Sequence, residues 1–373
     1  MNEGASLCVL VQFDARGVSG NEVQSLAVAD GLHRRGHRVI VACRRDSGVD
    51  SLAAAAGLPR HYERPSGDAD LAGALRFARL VRREGVDRVL ITSWKRAWTL
   101  GWAARRAGVA GVVLRVGGVH DVKPGWRGWK YRHALAHYAD ALLVNSRAVA
   151  VHLAALVPED RRRRIHLVPN GIVPATAPPA PLREELGLGD APLMAAVGEL
   201  SQRKGYDVLL RALVRMERQD AHLAVAGYGA EAAALRALAE ELGVERRVHF
   251  LGRRPDVPAV LAAADVFVTA SRSEGMAVAL LEAMAAGRPA VATDVGGVWE
   301  ALAARDGRGA AGWIVPTDDP AALARTLDEV VADNSGAVSG RVAEAAWRMQ
   351  HWFRFDTMMD GVEKVLREAV HER

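Results

Sequence analysis

Cysteine is nearly absent from this chain of 373 residues: Cys8 and Cys43 are the two it has, each in a short apolar run without CxxC spacing or a histidine cluster. That argues against a disulfide framework and a structural zinc site, and reads as reduced, buried thiols in a cytosolic protein. Long hydrophobic runs are also missing, none approaching the roughly 18 to 20 apolar residues that span a bilayer. The first fifteen residues carry Glu3 and Asp14 with no basic cluster, so no secretory leader is expected. Glycine and proline stand near ordinary usage while half of the residues are hydrophobic and a quarter charged, which excludes disorder, collagen-like repeats and coiled coil. No nucleic-acid recognition module or RNP-type motif occurs, so no nucleic-acid partner is expected.

What remains is a globular chain long enough for two domains. Its net charge of +5 hides an asymmetry: residues 1–175 hold 27 Lys and Arg against 15 Asp and Glu, and the rest hold 22 against 29. A basic half suits an anionic acceptor or an anionic membrane surface, and a solvated arginine-rich face accounts for it equally well. Short β-branched runs at 7–11, 39–42, 89–92, 111–116, 141–145 and 165–168 alternate with Ala/Leu/Arg segments of helical period. After the proline-rich stretch from Pro169 to Pro181 the rhythm restarts at 193–198 and repeats at 222–226, 248–251, 266–270, 290–293 and 312–315. This pattern predicts an α/β chain of two tandem Rossmann-like domains with a cleft between them. The expected division is an N-terminal domain over 1–168, a linker over 169–190, a second domain over 191–345 and a C-terminal helix over 346–373.

The most informative stretch runs from Ser271 to Pro289. Gly287 and Pro289 end a helix that starts near Val278, which leaves Glu274 in the preceding loop and Glu282 just over one turn inside. The amides of Gly275, Met276 and Ala277 then point out of the helix start, a position suited to phosphate or sugar oxygens. Upstream, the strand ending at Gly198 leads into Arg203, Lys204 and Gly205, at the carboxyl edge where open α/β sheets bind ligands. A lysine there suits a diphosphate.

Together these segments resemble the retaining GT-B glycosyltransferases called glycosyl transferases group 1, or glycosyltransferase family four. The resemblance spans nearly the whole chain. It is carried by Gly17 to Glu22 with Leu32 to Val39, by Val168 to Gly171 around Asn170, by Gly198 to Gly205, by Ala226 to Gly229, and by Glu274 to Glu282 followed by Thr293 to Gly297. It implies parallel sheets facing across a cleft, a C-terminal helix crossing back to the N-terminal domain, and transfer of a sugar from a nucleotide-diphosphate donor to a hydroxyl acceptor with retained configuration, no cofactor and no obligatory metal. Residue by residue, it implies Lys204 and Arg203 at the donor diphosphate, Glu282 on the ribose hydroxyls, Glu274 on the transferred sugar, and amides from Gly275, Met276 and Ala277. His120 would lie against the donor sugar and phosphate, with Gly17, Gly20, Asn170, Gly198 and Gly227 lining the donor. Where the family usually has an arginine after the glycine, this chain has Glu199, which would repel the leaving group unless it pairs with Arg203, Arg253 or Arg254 or turns away. An epimerase or phosphorylase on the same fold remains an alternative, and Glu199 keeps a non-catalytic sugar-nucleotide-binding subunit open as another.

Two motifs read as decoys. Gly227 to Ala232 follows a strand and opens a helix like a dinucleotide fingerprint, but on a middle strand of its domain. Asp68 and Asp70 have the DxD spacing of metal-dependent transferases, yet precede a helical run as an N-cap would, so no metal site is expected. Two basic features bear on the acceptor: a helix face of Arg76, Arg79 and Arg83, and the interleaved Trp126, Arg127 and Lys130, which suit an acceptor rim or a membrane interface. Trp94, Trp98 and Trp102, spaced by four, predict a packed helix stripe.

Overall fold

The structure of the protein is a computed structural model that describes residues 5–62, 67, 70–119, 122, 125–174, 178–333 and 335–371. It divides into two compact units, one of residues 1–170 with 356–373 and one of residues 171–355.

The sheet of the first unit contains β1 (Cys8–Gln12), β2 (Arg38–Cys43), β3 (Arg60–Tyr62), β4 (Arg88–Ile91), β5 (Gly111–Val116), β6 (Ala141–Val144) and β7 (Ile165–Leu167). All pair in parallel, in the order β3-β2-β1-β4-β5-β6-β7. Every residue of β1, β4, β5 and β6 is buried, because helices cover both faces of such a sheet and leave no polar side to the strands. The strand order reverses between β1 and β4. There the helix Gly20–Arg34 begins on a capping box: Ser19 accepts from the Asn21 amide, and Glu22 accepts from the Ser19 amide at 3.0 Å.

The second sheet contains β8 (Leu193–Val197), β9 (His222–Ala226), β10 (Val248–Gly252), β11 (Val266–Thr269), β12 (Ala290–Thr293) and β13 (Trp313–Val315). Its order, β10-β9-β8-β11-β12-β13, is also parallel throughout and reverses between β8 and β11, where Met194 faces Val266.

The division differs from the sequence expectation in the extent of the linker and in the number of C-terminal helices. Much of the stretch expected to link the domains belongs to the second unit, because Ala180, Leu182 and Leu188 are buried in its core and the Ala180 amide donates to Ala259 at 2.9 Å. The C-terminal segment is two helices, Ala337–His351 and Phe355–Glu368. The first packs in the second unit, with Arg308 3.5 Å above the Trp347 ring and Phe353 buried just beyond its end. The second packs in the first unit, where the buried Arg88 donates to the Leu366 carbonyl at 2.6 Å.

Candidate active site

In the second unit the loops leaving β8 and β11 flank the point where strand order reverses. Glycines bring the loop after β8 into backbone contact with the ends of β11 and β9. Gly205 has φ +63°, and a Cβ there would come within 1.9 Å of the Ala270 carbonyl oxygen, so the end of the Lys204 loop lies directly on the end of β11. Gly227 faces Gly198 as closely, a Cβ falling 1.8 Å from its carbonyl oxygen. The glycine pair that imitates a dinucleotide fingerprint therefore serves backbone packing against the Gly198 to Leu200 turn.

This contact brings Lys204 and Arg203 onto Glu274. Lys204 Nζ lies 2.5 Å from Glu274 Oε1, Arg203 Nη1 lies 3.1 Å from Oε2, and the Ser271 hydroxyl donates to Oε1 at 2.8 Å. Glu274 is buried, which by itself would raise its pKa. The charges of Lys204 and Arg203 and the hydrogen bonds outweigh that and hold the carboxyl below the ordinary glutamate range. The sequence reading gave Lys204 and Glu274 separate tasks, on phosphate and on sugar; in the structure they are partners.

The helix Val278–Ala285 starts three residues beyond Gly275, and the amides of Gly275, Met276 and Ala277 donate to no group among the described residues. The loop is backed by the Thr293 to Gly297 turn, where the Gly297 amide donates to the Gly275 carbonyl at 2.5 Å. Gly296, at φ +52°, would place a Cβ 2.1 Å from the Glu274 carbonyl oxygen. Glu282, one turn into the helix and half-buried, has no hydrogen-bond or ion-pair partner among the described residues, and burial pushes its pKa up. Glu199 is exposed and pairs with none of the three arginines considered for it: Arg203 goes to Glu274, Arg254 to Asp256, and Arg253 lies over the Tyr228 ring.

Residues 181–346 match the family described as Glycosyl transferases group 1, and residues 18–176 match Glycosyltransferase Family 4. The chain is 32% identical over 301 residues to a GDP-mannose-dependent alpha-(1-6)-phosphatidylinositol monomannoside mannosyltransferase of Mycolicibacterium smegmatis, covering 75% of this chain and 76% of that one. The chain belongs to the glycosyl transferases group 1 family. It is also 36% identical over 210 residues to a D-inositol 3-phosphate glycosyltransferase of Nocardia farcinica, where the match spans 52% of this chain and 46% of the relative. Among solved structures, Anabaena HepE in complex with UDP and glucose superposes with a TM-score of 0.85 at 20% identity, over 97% of this chain and 99% of that one. WaaG, a glycosyltransferase involved in lipopolysaccharide biosynthesis, superposes with a TM-score of 0.74 at 18% identity, over 96% and 99%. The fold of this glycosyltransferase is thus GT-B, two Rossmann-like domains with parallel sheets.

In the first unit Gly17 is exposed ahead of the helix that starts at Gly20. His120 and Asp68 lie outside the described residues; Asp70 caps its helix, accepting from the Gly73 amide at 2.7 Å. Asn170 is buried and accepts from Arg115 at 3.0 Å. Arg115 is the residue that sequence reasoning missed here. Its guanidinium also donates to Asn21 and Ser25, at 2.8 and 2.9 Å, tying the first turns of the Gly20 helix to β5 and Asn170. It makes no ion pair among the described residues, and burial lowers its pKa to about 10. The signal was an arginine inside the apolar run from Gly111 to Val116.

Trp126 and Trp129 stack, with ring centres 5.0 Å apart and planes 13° apart, while remaining 59% and 47% exposed. Lys130 is buried, its Nζ 5.8 Å from the Trp126 ring centre, and Arg127 is exposed. Trp94, Trp98 and Trp102 pack on the core of the first unit as the stripe predicts. Arg76, Arg79 and Arg83 are all exposed on one helix, although Arg76 lies 3.8 Å from Asp70 and Arg83 pairs with Glu84 at 2.9 Å. Among the described residues no helix is long and apolar enough to cross a membrane.

Proposed function

We propose that the protein moves a sugar from a nucleotide-diphosphate donor to a hydroxyl acceptor, retaining the anomeric configuration and using neither metal nor cofactor. The observation that carries this reading is the pairing of two cations, Lys204 and Arg203, with three unengaged amides at Gly275, Met276 and Ala277 beside the strand reversal. When a glycosyl bond to diphosphate breaks, negative charge grows on the phosphate and positive charge on the anomeric carbon. The site must therefore stabilise the leaving group rather than supply a strong base. Lys204, Arg203 and the start of the helix Val278–Ala285 offer that field already oriented.

Glu282, an accessible carboxylate without a partner, suits the paired hydroxyls of a ribose, and Glu274 suits the transferred sugar. His120, Gly17, Gly20 and Asn170 take the donor-side roles that the family pattern gives them. The acceptor hydroxyl attacks on the face that the diphosphate leaves, its proton passing to phosphate. We place the acceptor with the basic first unit and take it to be anionic or lipid-linked, met at the inner face of the cytoplasmic membrane. The phosphatidylinositol monomannoside named for the Mycolicibacterium relative supports that class. Incubation with GDP-mannose and with UDP-glucose, each with and without EDTA, tests the reading. A product whose one-bond anomeric C–H coupling matches the donor, formed equally with EDTA present, is expected; an inverted product or EDTA-sensitive turnover would refute it.

A further inference from the structure

We propose that Glu274 occupies the phosphate's place on Lys204 in the unliganded protein, and that binding of a nucleotide sugar drives a proton from solvent onto Glu274. The inference rests on the donor-site reading above and adds a linkage that the reading does not require.

Lys204 Nζ is engaged by Glu274 at 2.5 Å, so a diphosphate can take this cation only by sharing it with the carboxylate or by displacing it. The carboxylate has little freedom to leave. Ser271 holds Oε1, the Thr293 to Gly297 turn backs the Glu274 backbone, and the side chain is buried. The charged and titratable groups around it are Lys204 and Arg203 from the loop after β8 and the Tyr206 hydroxyl, which Glu199 also influences. Of these only two cations offset the carboxylate, and an arriving diphosphate brings more negative charge than they can neutralise. With both anions held on the same two cations out of water, protonation of one relieves the repulsion between them. A diphosphate esterified at both ends, as in a nucleotide sugar, is a far weaker base than a carboxylate, so Glu274 is the group that takes the proton. Lys204 turns its hydrogen bonds to phosphate oxygens, while the neutral Glu274 turns from acceptor to donor toward Ser271 or the ligand.

The test is isothermal titration calorimetry of UDP-glucose and GDP-mannose against wild type and Glu274→Gln, without acceptor, in two buffers of different ionisation enthalpy, from pH 6 to 8. The diphosphate of a nucleotide sugar has no ionisation of its own between pH 6 and 8, so protons taken up on binding are taken up by the protein. Wild type should take up more protons than Glu274→Gln, to a limit of about one. Its affinity relative to the variant should fall by up to about tenfold per pH unit as pH rises. Equal proton counts and parallel affinity profiles would overturn the inference and leave the donor site standing. Should the variant not fold, the wild-type proton count alone decides the matter, since the ligand takes up none. Failure of wild type to bind either nucleotide would instead remove the donor site itself.

Discussion

Arg272 meets Asp207 as a fork, its Nη1 and Nη2 each 2.8 Å from a carboxylate oxygen, while its Nε reaches Asp318 at 2.7 Å. Nη1 also donates to the Gln202 carbonyl at 2.8 Å, so one side chain joins the loops after β8, β11 and β13. Arg272→Lys keeps the charge and loses the fork. With Lys204 less firmly placed, kcat/KM should fall by about tenfold, a loss of about 1.4 kcal/mol. Steady-state kinetics check this, and unchanged kinetics would show that the loops hold without the clamp.

Lys204→Ala removes the cation nearest to Glu274. A charge-assisted contact of roughly 1.5 to 3 kcal/mol corresponds to a fall in kcat/KM on the order of 10- to 150-fold. The donor KM and kcat measured together give the effect, and wild-type kinetics in the variant would remove Lys204 from the site.

Glu282→Gln should weaken UDP or GDP and the intact donor sugar nucleotide by similar factors, since the residue is read as touching the nucleoside. Because burial raises the Glu282 pKa, its contribution in wild type should fade as pH drops toward that raised value, above the usual glutamate range. Competition binding across pH 5 to 8 reads both effects. A variant that loses donor affinity but keeps diphosphate affinity would reassign Glu282 to the sugar.

His222 and His249 are neighbours across β9 and β10, with Nδ1 and Nε2 3.0 Å apart. Burial first, then neighbouring positive charge, lowers both pKa values below 6.5. The unfolded chain therefore binds more protons between those values and 6.5. Stability should be full above about pH 6.5 and decline as pH falls through the folded pKa values. Thermal melts should show Tm falling from pH 7 to 5, and less steeply in His249→Asn.

The helices Leu71–Arg83, Ala97–Arg106 and Trp126–His133 contain four, two and three Lys or Arg and no Asp or Glu. With the exposed Trp126 and Trp129 rings, these helices carry the membrane part of the proposed function. Trp126→Ala with Trp129→Ala should abolish most sedimentation with phosphatidylserine vesicles at low salt. Salt should weaken wild-type association over a Debye length of about 8 Å at physiological ionic strength. Wild type that ignores such vesicles at low salt points to a soluble acceptor.

Strands were legible because parallel strands covered on both faces read as unbroken apolar runs. The exception is β3, whose Arg60, His61 and Tyr62 form no such run. The helix Val278–Ala285 was bounded by Gly287 and Pro289, and Gly287 does adopt the positive φ of a helix end, +69°. The embrace of Lys204 and Glu274 was not legible. It joins residues 70 positions apart through a backbone contact at Gly205 and Ala270 that no spacing rule encodes. Arg115 was hidden for a similar reason, since its partners Asn21, Ser25 and Asn170 come from distant segments.

The helix Phe355–Glu368 sets an order of manufacture. Arg88 finds carbonyl acceptors at Leu366 and Arg367, and Gly111 is bare because the Ala369 carbonyl oxygen lies 1.8 Å from where a Cβ would stand. On the ribosome the first unit is therefore begun earliest and closed last, waiting through synthesis of the entire second unit for the segment that covers β4 and β5. A nascent chain halted before residue 355 carries a guanidinium cut off from those acceptors on an unfinished sheet, the kind of surface that chaperones hold.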